Sequence, residues 1–414
     1  MSLKVPCGMP VFLTPDHHTM KLLENIELAY CTNVHRGSTW EETFHSLETY
    51  VLEVKDLVCP HERFAIGLRL GADAAKSLSD PKILSAFQNW LDDKNCYIFT
   101  INGFPYGNFH GERVKEQVYR PDWTETDRLE YTVLLFEILE NLLQPGEEGS
   151  VSTLPASFKE FHPANEIPTC AYENLSQCAL EIDRIKQAKG LDLHLGLEPE
   201  PLGSFETTQE TLSFFEKLNK HAGNENLNKL IGVNYDCCHL AVEYENASDG
   251  LNQLKQAGIR LSKLHLSSAL KVEPTMENRK SLQSFVEEVY LHQVVVGKEG
   301  NIVRRHKDLD IALKEEIEKQ YEPGDEWRIH FHVPLHASPK EPLGDTKNHV
   351  LDTLDWLAMN PSACRHLEME TYTWEVLPSE LQTLDVVEQV AKEYQWTLNA
   401  LQKRGLAKQA SLKE

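Results

Sequence analysis

Short runs of alternating apolar and polar residues recur along the chain, each followed by a stretch whose apolar positions fall three and four residues apart. The first pair is 26–35 (IELAYCTNVH) with 40–58, where Phe44, Leu47, Val51, Val54 and Val58 make one helical stripe. The second is 64–71 (FAIGLRLG), then a helix over 81–93 with Asp80 as N-cap and Pro81 in its first position. The third strand, 96–102 (CYIFTIN), carries Thr100 and Asn102 on its polar face. It runs into a long loop, GFPYGNFHGERVKEQVYRPDW, of the kind that serves a site; a helix over 125–143 follows. A weaker strand at 149–154 precedes a helix at 172–188. In strand five Leu193, Leu195 and Leu197 alternate with His194, Gly196 and Glu198; in strand six, 230–236, Ile231, Val233 and Tyr235 alternate with Gly232, Asn234 and Asp236. Helices near 208–221 and 247–257 follow them. Strand seven, 261–267, sets Lys263, His265 and Ser267 on one face.

The rhythm breaks between 270 and 326, where 289–303 reads as a hairpin turning at 298–301. The run 327–336 (WRIHFHVPLH) sets Arg328, His330 and His332 opposite Ile329, Phe331 and Val333. After a helix over 348–358, the last strand, 366–372, sets His366, Glu368 and Glu370 opposite Leu367 and Met369, and a helix spans about 379–404. Eight strand-then-helix units imply an α/β chain with a parallel sheet closed into a (β/α)8 TIM barrel. The reading is a single domain over 1–414, with an insertion at about 271–326 between strands seven and eight. The pattern does not choose whether 327–336 is a barrel strand or part of the insertion.

Composition narrows the function. The net charge of −23, from 64 acids against 41 bases, argues against a nucleic-acid partner. Nine cysteines with no C-x-x-C pair, together with the lack of an apolar leader or membrane-length run, point to the cytoplasm. No P-loop, G-x-G-x-x-G or G-x-S-x-G occurs.

In a barrel, inward side chains at the strand ends converge. Strands five to eight end in Glu198, Asp236, His265 and Glu370, with His239 three residues past Asp236. A lone acid at a strand end is usually a cap or a loop hydrogen-bonder, but four successive strands ending in ligand-type residues of one parity suggest a metal site. The N/O donor set suits Mn, Mg, Co or Zn, and a cation relieves repulsion among the carboxylates. Glu200 and Glu368 share that parity. His332, within H-x-H-x-x-x-H, is either a ligand or part of a polar strand face. Lys263 reads as the partner of an internal acid, and Cys237 and Cys238 as packing residues.

Glu after strand five, D-x-x-H after strand six, His on strand seven and Glu on strand eight resemble the xylose-isomerase-like TIM-barrel superfamily. The runs AYCTNVH, FTINGFPYGNFHGERVKEQVYRPDW, LEPEP, YDCCHLAVEYE, LHLSSAL, HFHVPLH and LEMETYTWEVLP resemble the metabolite-traffic EboE family within it, over nearly the whole chain. The resemblance implies a metabolite-handling role in a secondary-metabolite pathway, beside a prenyltransferase-like membrane partner. It implies metal ligation by Glu198, Asp236, His265 and Glu370, with Glu198 and Glu370 exchanging a proton at the substrate carbon. His239 becomes a substrate or second-metal ligand, and Asn102, His110, Lys115, Tyr119 and His332 substrate contacts. An isomerase or epimerase of a small metabolite is the leading expectation. A non-catalytic metabolite carrier and an endonuclease-IV-like phosphodiesterase are the alternatives.

Overall fold

The computed structural model describes residues 20–108, 114–223, 227–316, 322–378, 382 and 384–408. Its strands are β1 Glu27–Tyr30, β2 Phe64–Arg69, β3 Cys96–Asn102, β4 Glu148–Thr153, β5 Asp192–Leu197, β6 Ile231–Asp236, β7 Leu261–Leu266, β8 Ala269–Val272, β9 Val294–Lys298, β10 Asn301–His306, β11 Asp325–His332, β12 Leu343–Asp345 and β13 His366–Met369. Eight of them form one sheet in the order β1-β13-β7-β6-β5-β4-β3-β2, with every pairing parallel. A single parallel bridge from Cys31 to Gly67 brings the two edges together. The chain is therefore a nearly closed (β/α)8 barrel whose eighth strand is β13.

Apolar parity on the strands builds the outer core. Leu193, Leu195 and Leu197 of β5 are wholly buried in the same cluster as Leu175, Ile182 and Ile185 of the helix Thr169–Lys189. Local signals set the helix ends. Asp80 accepts from the amides of Lys82 and Ile83, and Thr207 with Glu210 forms a capping box at the start of Thr208–Ala222. The stretch read as one helix over 40–58 carries a π-type turn at Leu47–Val51, and a helix at Ala72–Leu78 has no counterpart in the sequence pattern. The last helix begins at Val386, capped by Asp385; residues 379–381 and 383 of its expected start lie outside the described residues.

The other face of the sheet is unusual for a barrel, whose interior is commonly filled by branched aliphatic residues. Here Thr100, Ser150, Ser152, His194, Asn234, Lys263 and Glu368 are all buried at 0 or 1% exposure. Lys263 Nζ lies 2.5 Å from Glu368 Oε2 and donates to Ser152 Oγ at 3.0 Å. A register shift between β6 and β7 leaves Ser262 unpaired opposite Val233 and Asn234, and Ser262 reaches His194 Nδ1 at 2.6 Å. Strict alternation puts Ser262 on the outer face; the bulge turns it inward.

The second sheet has the order β10-β9-β11-β8-β12 and is antiparallel throughout. It draws on residues 269–345, wider than 271–326, because β8 starts three residues after β7 ends and takes β11 and β12 as partners. The run 327–336 thus belongs to this sheet and not to the barrel. Its hairpin turns through Glu299 and Gly300, whose φ values of 51° and 80° suit a two-residue turn. Trp327, Ile329, Phe331 and Val333 enter a separate core with Leu270, Val294 and Leu309. No helix among the described residues is long and apolar enough to cross a membrane.

One glycine is required at the barrel seam. A Cβ on Gly67 would lie 2.0 Å from Glu368 Oε1 and 2.5 Å from the Tyr30 carbonyl oxygen. Gly67→Ala should lower the unfolding free energy by about 3 kcal/mol, the upper end of the cost of overpacking a filled interior. Gly258→Ala, with open space around it but a left-handed φ of 69°, controls for a purely backbone effect. Urea melts read both, and equal losses in the two variants would refute the seam argument.

Candidate metal centre

The C-terminal ends of β5, β6, β7 and β13 carry four ligand-type side chains inward. One ligand atom from each of Glu198, Asp236, His265 and Glu370 lies within 4.8 Å of the others, and all four residues are buried. The β6–β7 and β7–β13 pairings set this, placing Asp236 beside His265 and Glu368 beside His265.

His265 is the hub. Its Nε2 lies 2.8 Å from Glu368 Oε2, and that carboxylate is in turn paired with Lys263. Nδ1 faces Glu198 Oε1 at 3.0 Å, Glu370 Oε2 at 3.2 Å and Asp236 Oδ2 at 3.6 Å. A carboxylate that accepts from the far nitrogen of an imidazole fixes its tautomer and turns the near nitrogen's lone pair to a ligand. Burial opposes charge on His265, but Glu370 and Glu198 outweigh it and raise its pKa well above the ordinary value. The field that draws a proton there is also one that attracts a cation.

Asp236 and Glu370 are held from behind. Asp236 Oδ1 accepts from Ser267 Oγ at 2.7 Å and from the His239 amide at 2.9 Å. Glu370 Oε1 accepts from Asn33 Nδ2 at 2.7 Å and from Asn102 Nδ2 at 3.4 Å. Burial pushes the Asp236 carboxyl up, yet His239, His265 and His332 hold it well below its usual value. Glu200 goes the other way: burial, and then the neighbouring Glu198, push it well up.

A second group shares Asp236. Ligand atoms of Asp236, His239 and His332 also fall within 4.8 Å of one another. His239 Nδ1 meets the Pro199 carbonyl at 3.0 Å, and His332 Nδ1 meets the Glu370 carbonyl at 2.9 Å. That leaves Asp236 Oδ2, His330 Nε2 and His332 Nε2 buried with no hydrogen-bond partner among the described residues. Burial lowers the pKa of His330 and His332, so both offer neutral imidazoles. Orphaned lone pairs beside ionised carboxylates fit a divalent ion. The first group would hold one ion, and Asp236 with His239 and His332 a neighbouring one.

The substrate contacts expected from sequence divide. Lys115 lines the mouth, but its ammonium meets Asp308 Oδ2 at 2.6 Å and the carbonyls of Tyr290 and Glu287 at 2.8 and 3.1 Å. All three donors are occupied, so Lys115 ties the third-strand loop to the inserted segment and has none left for a substrate. Asn102 holds Glu370 and the Phe104 amide. Tyr119 lines the cavity and donates to the Pro201 carbonyl at 3.1 Å. His110 lies outside the described residues. Asn33, Tyr290, Gln293 and Tyr372 also line the cavity and were not singled out by sequence; only the AYCTNVH run, in which Asn33 lies three residues past the end of β1, signals one of them.

No protein-family model matches the chain, and no curated protein matches it. Among solved structures the chain is similar to the IolI protein with a bound zinc atom, at 10% identity and TM-score 0.47, over 91% of this chain and 98% of that one. It is similar to D-allulose 3-epimerase from Methylomonas sp. in complex with D-allulose, at 11% identity and TM-score 0.47, over 94% and 100%. A xylose isomerase domain protein from Planctomyces limnophilus gives 13% identity and TM-score 0.45, over 85% and 92%. These likenesses concern the path of the chain; the chemistry rests on the side chains above.

Support for the site extends to the final helix. Buried Glu393 Oε1 accepts from the Leu335 amide and from Thr371 Oγ1, both at 2.8 Å, joining the segment after His332 to the residue after Glu370. Burial raises its pKa to about 7, whereas an unfolded glutamate titrates near about 4.3. The native state binds this proton more tightly, so the stability it contributes is full below pH ~4.3 and is lost as pH rises through about 7. Glu393→Gln keeps the accepting oxygen and removes the titration. Between pH 5 and pH 8 the unmodified protein should lose about 2 kcal/mol relative to this variant in urea melts; parallel pH profiles would contradict the assignment.

Proposed function

We propose that the protein is a divalent-metal-dependent isomerase or epimerase acting on a small hydroxy-carbonyl metabolite. The observation that carries this reading is the convergence of Glu198, Asp236, His265 and Glu370 from four strands onto one buried point. A divalent ion there, zinc, manganese, cobalt or magnesium, supplies Lewis acidity to a substrate oxygen. Glu198 and Glu370 both face His265 Nδ1, at 3.0 and 3.2 Å, and exchange the proton on the carbon beside that oxygen. Asn33 and Asn102 keep Glu370 turned inward while it does so. The mouth above, with Phe104, Tyr119, Tyr290 and Tyr372, presents aromatic walls that exclude water.

The sequence runs that resemble the EboE family support a place in a secondary-metabolite pathway, next to a membrane prenyltransferase-like partner. On this reading the protein works in the cytoplasm. A phosphodiesterase is the second reading, favoured by the adjoining Asp236–His239–His332 group; the net charge of −23 opposes a nucleic-acid substrate.

Protein purified without chelators should hold about one or two divalent ions per chain by elemental analysis, and a metal-free preparation would sink both catalytic readings. Ketoses and hydroxy-ketones incubated with it in D2O should gain deuterium at the carbon beside the carbonyl, read by NMR. Glu370→Gln should slow that exchange by about 100-fold or more at unchanged melting temperature. Metal-loaded protein that exchanges none of them would overturn the isomerase reading and leave the phosphodiesterase and the metabolite carrier.

A further inference from the structure

At the opposite, N-terminal mouth of the barrel a separate group of side chains converges. One ligand atom from each of Glu148, His194 and His366 lies within 4.8 Å of the others. His194 and His366 precede Glu198 and Glu370 by four residues in the same register, about 13 Å along the strands. The middle layer of Lys263, Glu368 and Asn234 separates the two ends. We propose that Glu148, His194 and His366 form a distinct metal site, a two-imidazole, one-carboxylate set for a borderline divalent cation such as zinc or cobalt(II). It does not depend on the reading of the other mouth.

Three features build this site. Both imidazoles are backed by serine: His194 Nδ1 meets Ser262 Oγ at 2.6 Å, and His366 Nδ1 meets Ser150 Oγ at 2.8 Å. A serine hydroxyl donates or accepts, so it can serve the tautomer that presents Nε2 as a ligand. His194 Nε2 lies 3.1 Å from Glu148 Oε1, close to the separation of two ligands each about 2.1 Å from one zinc. His366, only 1% exposed, has no hydrogen-bond partner at Nε2 among the described residues, and its ring lines a cavity of about 310 Å³. That cavity leaves an open side for water or a small ligand.

The protonation states suit the task. Burial lowers the pKa of His194 to about 4 and that of His366 to about 3, so both are neutral. Burial opposes ionisation of Glu148, but His194, His366 and Arg260 outweigh it and hold the carboxyl below its ordinary value. Arg260 Nη2 contacts Glu148 Oε1 at 2.7 Å and Arg365 Nη1 contacts Oε2 at 3.4 Å, orienting the carboxylate as outer-shell donors do. Arg260 is also held by Asp192 at 2.7 Å, and the cavity walls include Glu27, Glu147 and Asp192, so the guanidinium charge is answered locally. On binding, the His194 ring proton moves from Nε2 to Nδ1, where Ser262 accepts it. An ion here joins β4 and β5 to β13 across the barrel floor, strands that do not pair directly with one another apart from β4 and β5.

The test uses the full chain, stripped with EDTA and dialysed against ZnCl2, with bound zinc counted by elemental analysis. His366→Gln should hold one zinc equivalent fewer than the unmodified chain. Asp236→Asn, which alters only the other mouth, should keep the equivalent that His366→Gln loses. Equal zinc counts in His366→Gln and unmodified chain, or loss of the same equivalent in both variants, would overturn the proposal. Crystals of unmodified protein grown with ZnCl2 give a readout that needs no variant. An anomalous peak about 2.1 Å from Glu148, His194 and His366 is expected, and its absence at saturating zinc would overturn the proposal too.

Discussion

A lysine wholly enclosed in a barrel is tolerated only if its charge is answered, and everything at the C-terminal mouth depends on how this one is. Lys263 is paired with Glu368, Glu368 also takes the far nitrogen of His265, and His265 then faces three carboxylates. Removing one member of a buried ion pair strands the other and typically costs about 3–5 kcal/mol. The pair is weak evidence of stability by itself; its effect is to fix the orientation of His265. Gly67 belongs to the same constraint, because Glu368 occupies the space its side chain would need.

This polar axis separates the molecule into layers with different chemistry. Above the pair, three carboxylates face one imidazole in the Glu198–Asp236–His265–Glu370 group, and several buried lone pairs lack partners among the described residues. Below it, the two imidazoles are tied to serines and one carboxylate is shared between two arginines. A low-dielectric interior strengthens each of these interactions and makes each unanswered group costly. The mouths are therefore the places where incomplete satisfaction is concentrated.

Most of the barrel was legible in the sequence because a strand buried on both faces still alternates when one of those faces is polar. The parity of Glu198, Asp236, His265 and Glu370 follows from that alternation, and the parallel register then brings them together. What escaped depends on contacts distant in the chain. Asn33 reaches Glu370 across 337 residues, and the tie from Lys115 to Asp308 and the Tyr290 carbonyl was not legible because those partners lie in the insertion. Ser262 escaped because a bulge reverses its parity. The membership of 327–336 could not be read, since an alternating run looks alike in a barrel and in an antiparallel sheet.

His332 is delivered by β11, whose strand partners are β8 and β9 of the inserted sheet and whose apolar face packs in that sheet's own core. The centre thus draws its ligand-type residues from two sheets, each with a core of its own. Proteins exchange backbone amide hydrogens through such cooperative units, each with its own opening free energy. Loss of the inserted unit would take away His330 and His332 while leaving Glu198, Asp236 and His265 on an intact barrel. Occupancy of the Asp236–His239–His332 group therefore becomes a thermodynamic coupling between the two sheets: whatever binds there disfavours opening of the insertion by the same free energy with which a closed insertion favours binding.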